Sequence, residues 1–362
     1  MIRLVAALLP ALAGPAAAGD LVVSAQLRAR LELIGGQVRP GFATDDAIVA
    51  LRTVVRAEYA TGPVAVTVEL RDARVHGAGP TSAVSANDVN VIDLSVLELR
   101  ADLGEALGPG TQTTLSAGRM MTGLGSNRLV DSPDFRNATT SFTGLKLNVE
   151  SRGWNIDALW AMPVQRLPDA REDVLANRWA FDREGLDRQL WGIHAMRRDA
   201  LGPVGLGLTY VGFAERDRPG RPTRDRNLHS AGPWLLARPR QGRFDLDAEA
   251  YVQWGSLSAS LAPDALRQEV LAGFARAEIG YTLSGPWAPR VSVRYDWASG
   301  DGSGARVTRF DRLFGNRVAD FAVSGQYAAV GRANISSPGV RLGVQRGPTD
   351  AYVTARLLWA DS

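Results

Sequence analysis

Eight cations fall where a fixed positive charge could meet an anion: Arg28, Arg30, Arg52, Arg56, Arg71, Arg100, Lys146 and Arg294. Arginine keeps its charge when partly desolvated and grips a carboxylate with a planar fork. A row of such cations without a deep trap would suit the passage of an anion. A plainer role competes with this one. Glu32, Glu58, Glu69 and Glu98 share the same faces, and Arg and Glu on neighbouring strands form cross-strand ladders that merely line a wall. For any single arginine the ladder is the simpler account; for the cluster, selectivity is. The cations crowd into the first half of the chain, whereas Asp245, Asp247 and Glu249 lie much further along.

Other chemistries find little support. His76, His194 and His229 are not paired at metal-ligand spacing. No Gly-x-Ser-x-Gly elbow stands between a strand and a helix, and Gly300–Gly304 reads as a loop tip. Gly205, Gly207 and Gly212 lie in a strand, so they form no dinucleotide fingerprint. We therefore expect no enzyme, no metal and no cofactor. A net charge of +3 with 22% charged residues is too modest for a nucleic-acid partner. Cysteine is absent, so no disulfide framework is available, and Lys146 is the only lysine.

The elements that must carry these cations are strands. In Arg243–Gly255, Phe244, Leu246, Ala248, Ala250, Val252 and Trp254 alternate with Asp245, Asp247, Glu249, Tyr251 and Gln253. Leu21–Ile34 repeats the pattern. Such strands exceed the usual length of about 5–6 residues and are long enough to cross a bilayer at a tilt. One charged face and one hydrocarbon face fit a wet lumen backed by lipid. The alternation predicts fifteen strands: 21–34, 47–60, 64–75, 91–102, 112–121, 140–150, 153–162, 188–198, 202–213, 229–238, 243–255, 269–283, 288–299, 333–346 and 349–360. Long connections follow the odd strands and short ones the even strands, the asymmetry of outer-membrane barrels. Trp160, Trp254, Trp297 and Trp359 fall at one set of strand ends, and Tyr59, Trp154, Tyr281 and Trp287 at the other, as interfacial girdles do. Residues 1–18 read as a signal peptide, with a basic start, an apolar stretch and Ala16-Ala17-Ala18 before the cleavage point. The expected fold is all-β, a transmembrane antiparallel barrel over 19–362, set in outer-membrane lipid and lipopolysaccharide. Arg119 shares parity with Leu115 and Ala117, so it needs a bulge near Gly118 or a place at the outer interface.

Several segments taken together resemble the alginate-export family of outer-membrane porins. Gly118-Arg119, Asn127-Arg128-Leu129-Val130, Asp134-Phe135-Arg136-Asn137 and Ser141-Phe142-Thr143-Gly144-Leu145-Lys146-Leu147 are similar to that family's "GR…RL…WRN…SFDGVRL" run. Phe135 stands where the family tends to have Trp, and Thr143 where it has Asp. Arg294–Asp301 and Phe310-Asp311-Arg312-Leu313-Phe314 resemble "RYDYASGD…FDPLF", with Arg312 replacing Pro. Glu69–Arg74 is similar to "LQDAR", and Arg356–Ser362 to "FWLAS". The resemblance implies a passive electropositive pore for export of an anionic, alginate-like polysaccharide, with loop plugs in the lumen. It also implies periplasmic export or synthesis proteins as partners. The alternative is a general anion-preferring porin for small solutes. A lipid-acting barrel enzyme and a plugged adhesive barrel are further removed. Because the family has about three more strands, we expect this chain to be truncated at its C-terminus.

Overall fold

The computed structural model describes residues 4–6, 19–302, 304–316, 321 and 330–362. The remainder of the expected signal peptide and part of the expected 300–332 connection lie outside the described residues.

A single antiparallel sheet holds sixteen strands in the order of the sequence. They are β1 (Leu4–Ala6), β2 (Asp20–Ile34), β3 (Asp46–Thr61), β4 (Val64–His76), β5 (Asn90–Gly104), β6 (Thr111–Met120), β7 (Phe142–Ser151) and β8 (Trp154–Pro163). After the five-residue helix α1 (Arg171–Leu175) come β9 (Arg188–Leu201), β10 (Val204–Glu215), β11 (Asn227–Ala237), β12 (Arg243–Ser258), β13 (Arg267–Thr282), β14 (Arg290–Ala298), β15 (Ile335–Arg346) and β16 (Thr349–Arg356). All fifteen expected strands are present within a few residues of their expected ends, and β1 is a short addition against β2. Among the described residues β1 and β16 each have one neighbour in the sheet.

Tight turns set the register. Gly62-Pro63, Gly202-Pro203 and Gly347-Pro348 each join two strands through two residues, with the glycine at φ +54, +66 and +56. Arg152 and Gly153 both have positive φ, the requirement of a type I′ hairpin. Each turn fixes which residues face each other, and the period of two then decides every side chain's face. On β13 the outcome is a regular alternation of buried and open positions. On β12, Asp245, Glu249, Tyr251 and Gln253 are buried, whereas Phe244, Val252 and Trp254 are exposed.

The core lies inside the curled sheet. Leu124, Leu129 and Val130 from the long β6–β7 loop pack with Phe142, Phe213, Phe274 and Phe310. Phe314 meets Phe142 and Phe213 edge-on, with ring centroids 5.6 and 5.4 Å apart. A second apolar group, Ile48, Ala50, Val75, Val84, Val89 and Val91, is closed by Val174 of α1. Long loops therefore fold inward at one rim and short turns mark the other, as extracellular and periplasmic connections divide in barrels of this type.

Candidate functional site: a charged lumen crossed by a loop

β6 and β7 are short, ten residues each, because the chain leaves the wall after Met120 and re-enters it at Phe142. The residues between them cross the interior. On one side Arg28 donates to the carbonyls of Asp134 and Arg136 at 3.2 and 2.9 Å. Arg52, only 1% exposed, donates to the Asp134 carbonyl at 2.6 Å and pairs with its carboxylate at 2.9 Å. Arg30 reaches the Phe135 carbonyl at 2.9 Å and lies over its ring. Asn137, fully buried, donates to the carbonyls of Leu51, Arg74 and Asp88. On the opposite wall Ser126 and Arg128 meet Glu249 at 2.6 and 2.8 Å, and Arg128 also meets Asp247 at 3.2 Å. The loop is pinned at both ends of its span.

The eight expected cations therefore divide. Arg28, Arg30 and Arg52 hold the loop. Arg71 is buried between Glu69 at 3.0 Å and Asp134 at 3.6 Å, and serves it too. Arg294 belongs to a wall ladder, paired with Glu278 at 3.0 Å. In that ladder Arg276 bonds Asp247, Glu278 and Asp296, and Arg290 bonds Asp245 and Glu278. Arg56, Arg100 and Lys146 remain open. They line one chamber of about 370 Å³ with Glu98, Asn148, Thr114 and Ser116 on the short-turn side of the loop. Arg56 and Arg100 have side chains 38% and 46% exposed and share Glu58 as a partner at 3.2 Å each. Lys146 meets Asp157 at 3.5 Å and donates to Thr122 Oγ1 at 3.1 Å.

Gly118 has φ +111, and a Cβ there would stand 2.3 Å from the Leu97 carbonyl. Only glycine suits that position. Arg119 follows at the last paired position of β5 and β6, opposite Leu97. Beyond it the seam between the two strands is filled by the β8–β9 loop. Arg119 bonds the Leu94 carbonyl at 2.9 Å, Asp93 at 3.3 Å and Glu184 at 3.3 Å, and Thr143 also donates to Glu184. Asp182 enters the same seam, taking bonds from Asn90 at 2.9 Å and the Leu167 amide at 2.8 Å. Burial raises its carboxyl above the usual range.

A lumen of paired charges, a loop folded across it and a wall of sequential strands is the construction of a diffusion pore. The family model for alginate export matches residues 21–357. The chain belongs to the alginate-export family. Among curated proteins no match is found. Among solved structures, this alginate-export protein is similar to Pseudomonas aeruginosa OccK2 (OpdF) in complex with glucuronate, at 13% identity and a TM-score of 0.52, covering 90% of this chain and 75% of that one. It is likewise similar to a BenF-like porin from Pseudomonas fluorescens Pf-5, at 14% identity and a TM-score of 0.53, covering 90% and 78%. The fold is that of an outer-membrane porin barrel, and the outer membrane is the protein's location.

On the long-loop side the alginate-export chain carries cations that strand periodicity does not reveal. Arg183, Arg188, Arg221, Arg224 and Arg226 line a cavity of about 520 Å³. Arg224, Arg306, Arg309, Arg312 and Arg332 line another of about 940 Å³. Apart from Arg188, at the start of β9, these residues come from loops, where no period marks a face. For most of them the sequence signal is the density of arginine between 216 and 226 and between 306 and 312.

Proposed function

We propose that this porin passes an anionic polysaccharide, alginate-like by family, outward along an arginine-lined path. The observation that supports it is the order of cations along the lumen. Arg56, Arg100 and Lys146 stand open before the loop, and arginine-rich cavities follow it. A uronate chain has one carboxylate per sugar, so it needs successive cations that are always charged and partly shared with acids, which keeps any one stop shallow. In this account residues 1–18 are removed on export, lipopolysaccharide surrounds the barrel, and periplasmic synthesis or export proteins deliver the glycan. Expected of the purified protein in planar bilayers is an anion-selective reversal potential in a KCl gradient, reduced when Arg56 and Arg100 are both changed to Gln. Cation preference, or no change in the double variant, would remove this reading.

A general anion-preferring porin for small solutes is the second reading. The crossing loop and chambers of a few hundred Å³ favour it, and the similar OccK2 structure contains glucuronate. Block by oligouronates that lengthens with chain length supports the polymer; block by monomers alone supports the small-solute pore.

A further inference from the structure

Between the crossing loop, the β8–β9 loop and the β14–β15 connection lies a cavity of about 310 Å³ lined by Arg136, Arg166, Arg188 and Arg312. Asp169 is the one carboxylate residue in its lining, and Gln165 already donates to it at 3.0 Å. Among the described residues four guanidiniums thus line it with one occupied acid, while Asp182, Asp88 and Asp93 act on Arg166 from outside the lining. Arg166 is held by neutral acceptors: the carbonyls of Ala86 and Thr139, Thr140 Oγ1 and Asn87 Oδ1, at 2.7–2.8 Å. Arg136 donates to the same Asn87 oxygen at 3.1 Å. Arg188 has Glu215 at 3.6 Å, longer than a good hydrogen bond.

Arg312 differs from the others. Half-buried, its guanidinium has no hydrogen-bond or ion-pair partner among the described residues, and it lines both this cavity and the larger one of about 940 Å³. Burial and the neighbouring Arg332 lower its pKa more than the adjacent Asp311 raises it, so an anion brought beside it would relieve both effects. A backbone excursion helps to aim the segment: Leu313 has φ +50 and its amide is held by Asp311 Oδ1 at 2.8 Å.

We propose that this cavity is a carboxylate subsite built around Arg312, taking one acidic sugar unit on the outer side of the crossing loop. It rests on the anionic-glycan reading above and adds a stopping place along that path. The volume is at the small end of ligand pockets, about 300–1,000 Å³, and suits a single unit, not a chain segment. Arg312 supplies the unshared fork, with Arg166 and Arg136 already fixed behind it. The unit's remaining hydroxyls face Gln165 and Thr140 in the same lining.

Calorimetry of the whole protein in detergent with sodium glucuronate as the probe tests this, with glucose as the uncharged control. Glucuronate should bind and glucose should not. Arg312→Gln should weaken glucuronate binding about tenfold or more, the scale of one lost charge-assisted bond, and Arg312→Lys should recover part of it. Arg188→Gln, at the start of β9, should weaken it less. Equal glucuronate affinity in wild type, Arg312→Gln and Arg312→Lys overturns the proposal, as does equal binding of glucose or no binding of glucuronate. Reversal potentials of the same variants report separately on the pore. Retained anion preference with glucuronate binding indifferent to Arg312 sinks the subsite alone.

Discussion

At the residue scale, one step along a strand moves a side chain between two solvents. Leu99, near the middle of β5, is exposed on the outer wall with Leu97, whereas Glu98 lines the open chamber with Arg100. Leu99→Arg should impair insertion, because a cation at the bilayer midplane of a barrel exterior costs about 2–4 kcal/mol. Glu98→Arg should insert normally and increase anion preference. The folded, heat-modifiable band on a gel checks the first, and reversal potential the second. Equal tolerance of both changes would contradict the alternation seen on β5. Arg52 illustrates a different kind of residue, one whose charge is consumed by structure. It bonds both the carbonyl and the carboxylate of Asp134, and hydrogen bonds to charged groups contribute about 1.5–3 kcal/mol each.

At the element scale, the β6–β7 loop is held by two unlike walls, and cutting one should free it. Arg28→Ala with Arg52→Ala removes most side-chain donors to the carbonyls of Asp134 and Arg136 while leaving the Arg128–Glu249 contact intact. We expect a larger and noisier single-channel conductance from this double variant; an unchanged channel would show that the apolar packing of Leu124, Leu129 and Val130 suffices. The β8–β9 loop should follow pH. Asp182 faces Asp93 on β5, Arg119 on β6, and Arg166 and Glu184 of its own loop. A carboxyl whose folded pKa lies above its unfolded value stabilises most when protonated, and that contribution is lost as pH rises through the folded value. The loop should therefore tighten on acidification, and Asp182→Asn should weaken the dependence. The absence of cysteine permits a single label at exposed Phe181, introduced by Phe181→Cys, whose mobility reports this. A label whose mobility ignores pH in the wild type would refute it.

At the scale of the whole molecule, the path is a series of screened charges. Arg56 and Arg100 are open to water and act on ions within about 8 Å at physiological salt, shrinking to about 3 Å at 1 M. Anion preference should fall steeply between those conditions, measured as reversal potential at a fixed concentration ratio. A preference independent of salt would place selectivity in a dry constriction instead. The wall formed by β12, β13 and β14 contributes little to this field. Asp245, Asp247, Glu278 and Asp296 are matched by Arg276, Arg290 and Arg294 within it and by Arg356 of β16.

The strands from Asp20 onward, and the two faces that alternate along them, were legible in the order of residues. A bilayer admits only strands whose backbone groups are all paired and whose outward positions are apolar, so the period of two in Leu21–Ile34 and Arg243–Gly255 is a direct imprint of the surroundings. Arg119 beside Gly118 was legible to the same extent, as a break in that period. Which arginines face the pore was not legible, because it depends on how distant loops pack. Arg28 and Arg56 sit alike on their strands, yet Arg28 is covered by a loop 106 residues away and Arg56 is not. The loop that covers it, and those that bring Arg136, Arg166, Arg188 and Arg312 to one cavity, have no periodicity to mark a face. Their positions follow from apolar residues such as Leu129 and Phe314 burying themselves inside the curled sheet, a choice made only once the strands had enclosed a space to fill.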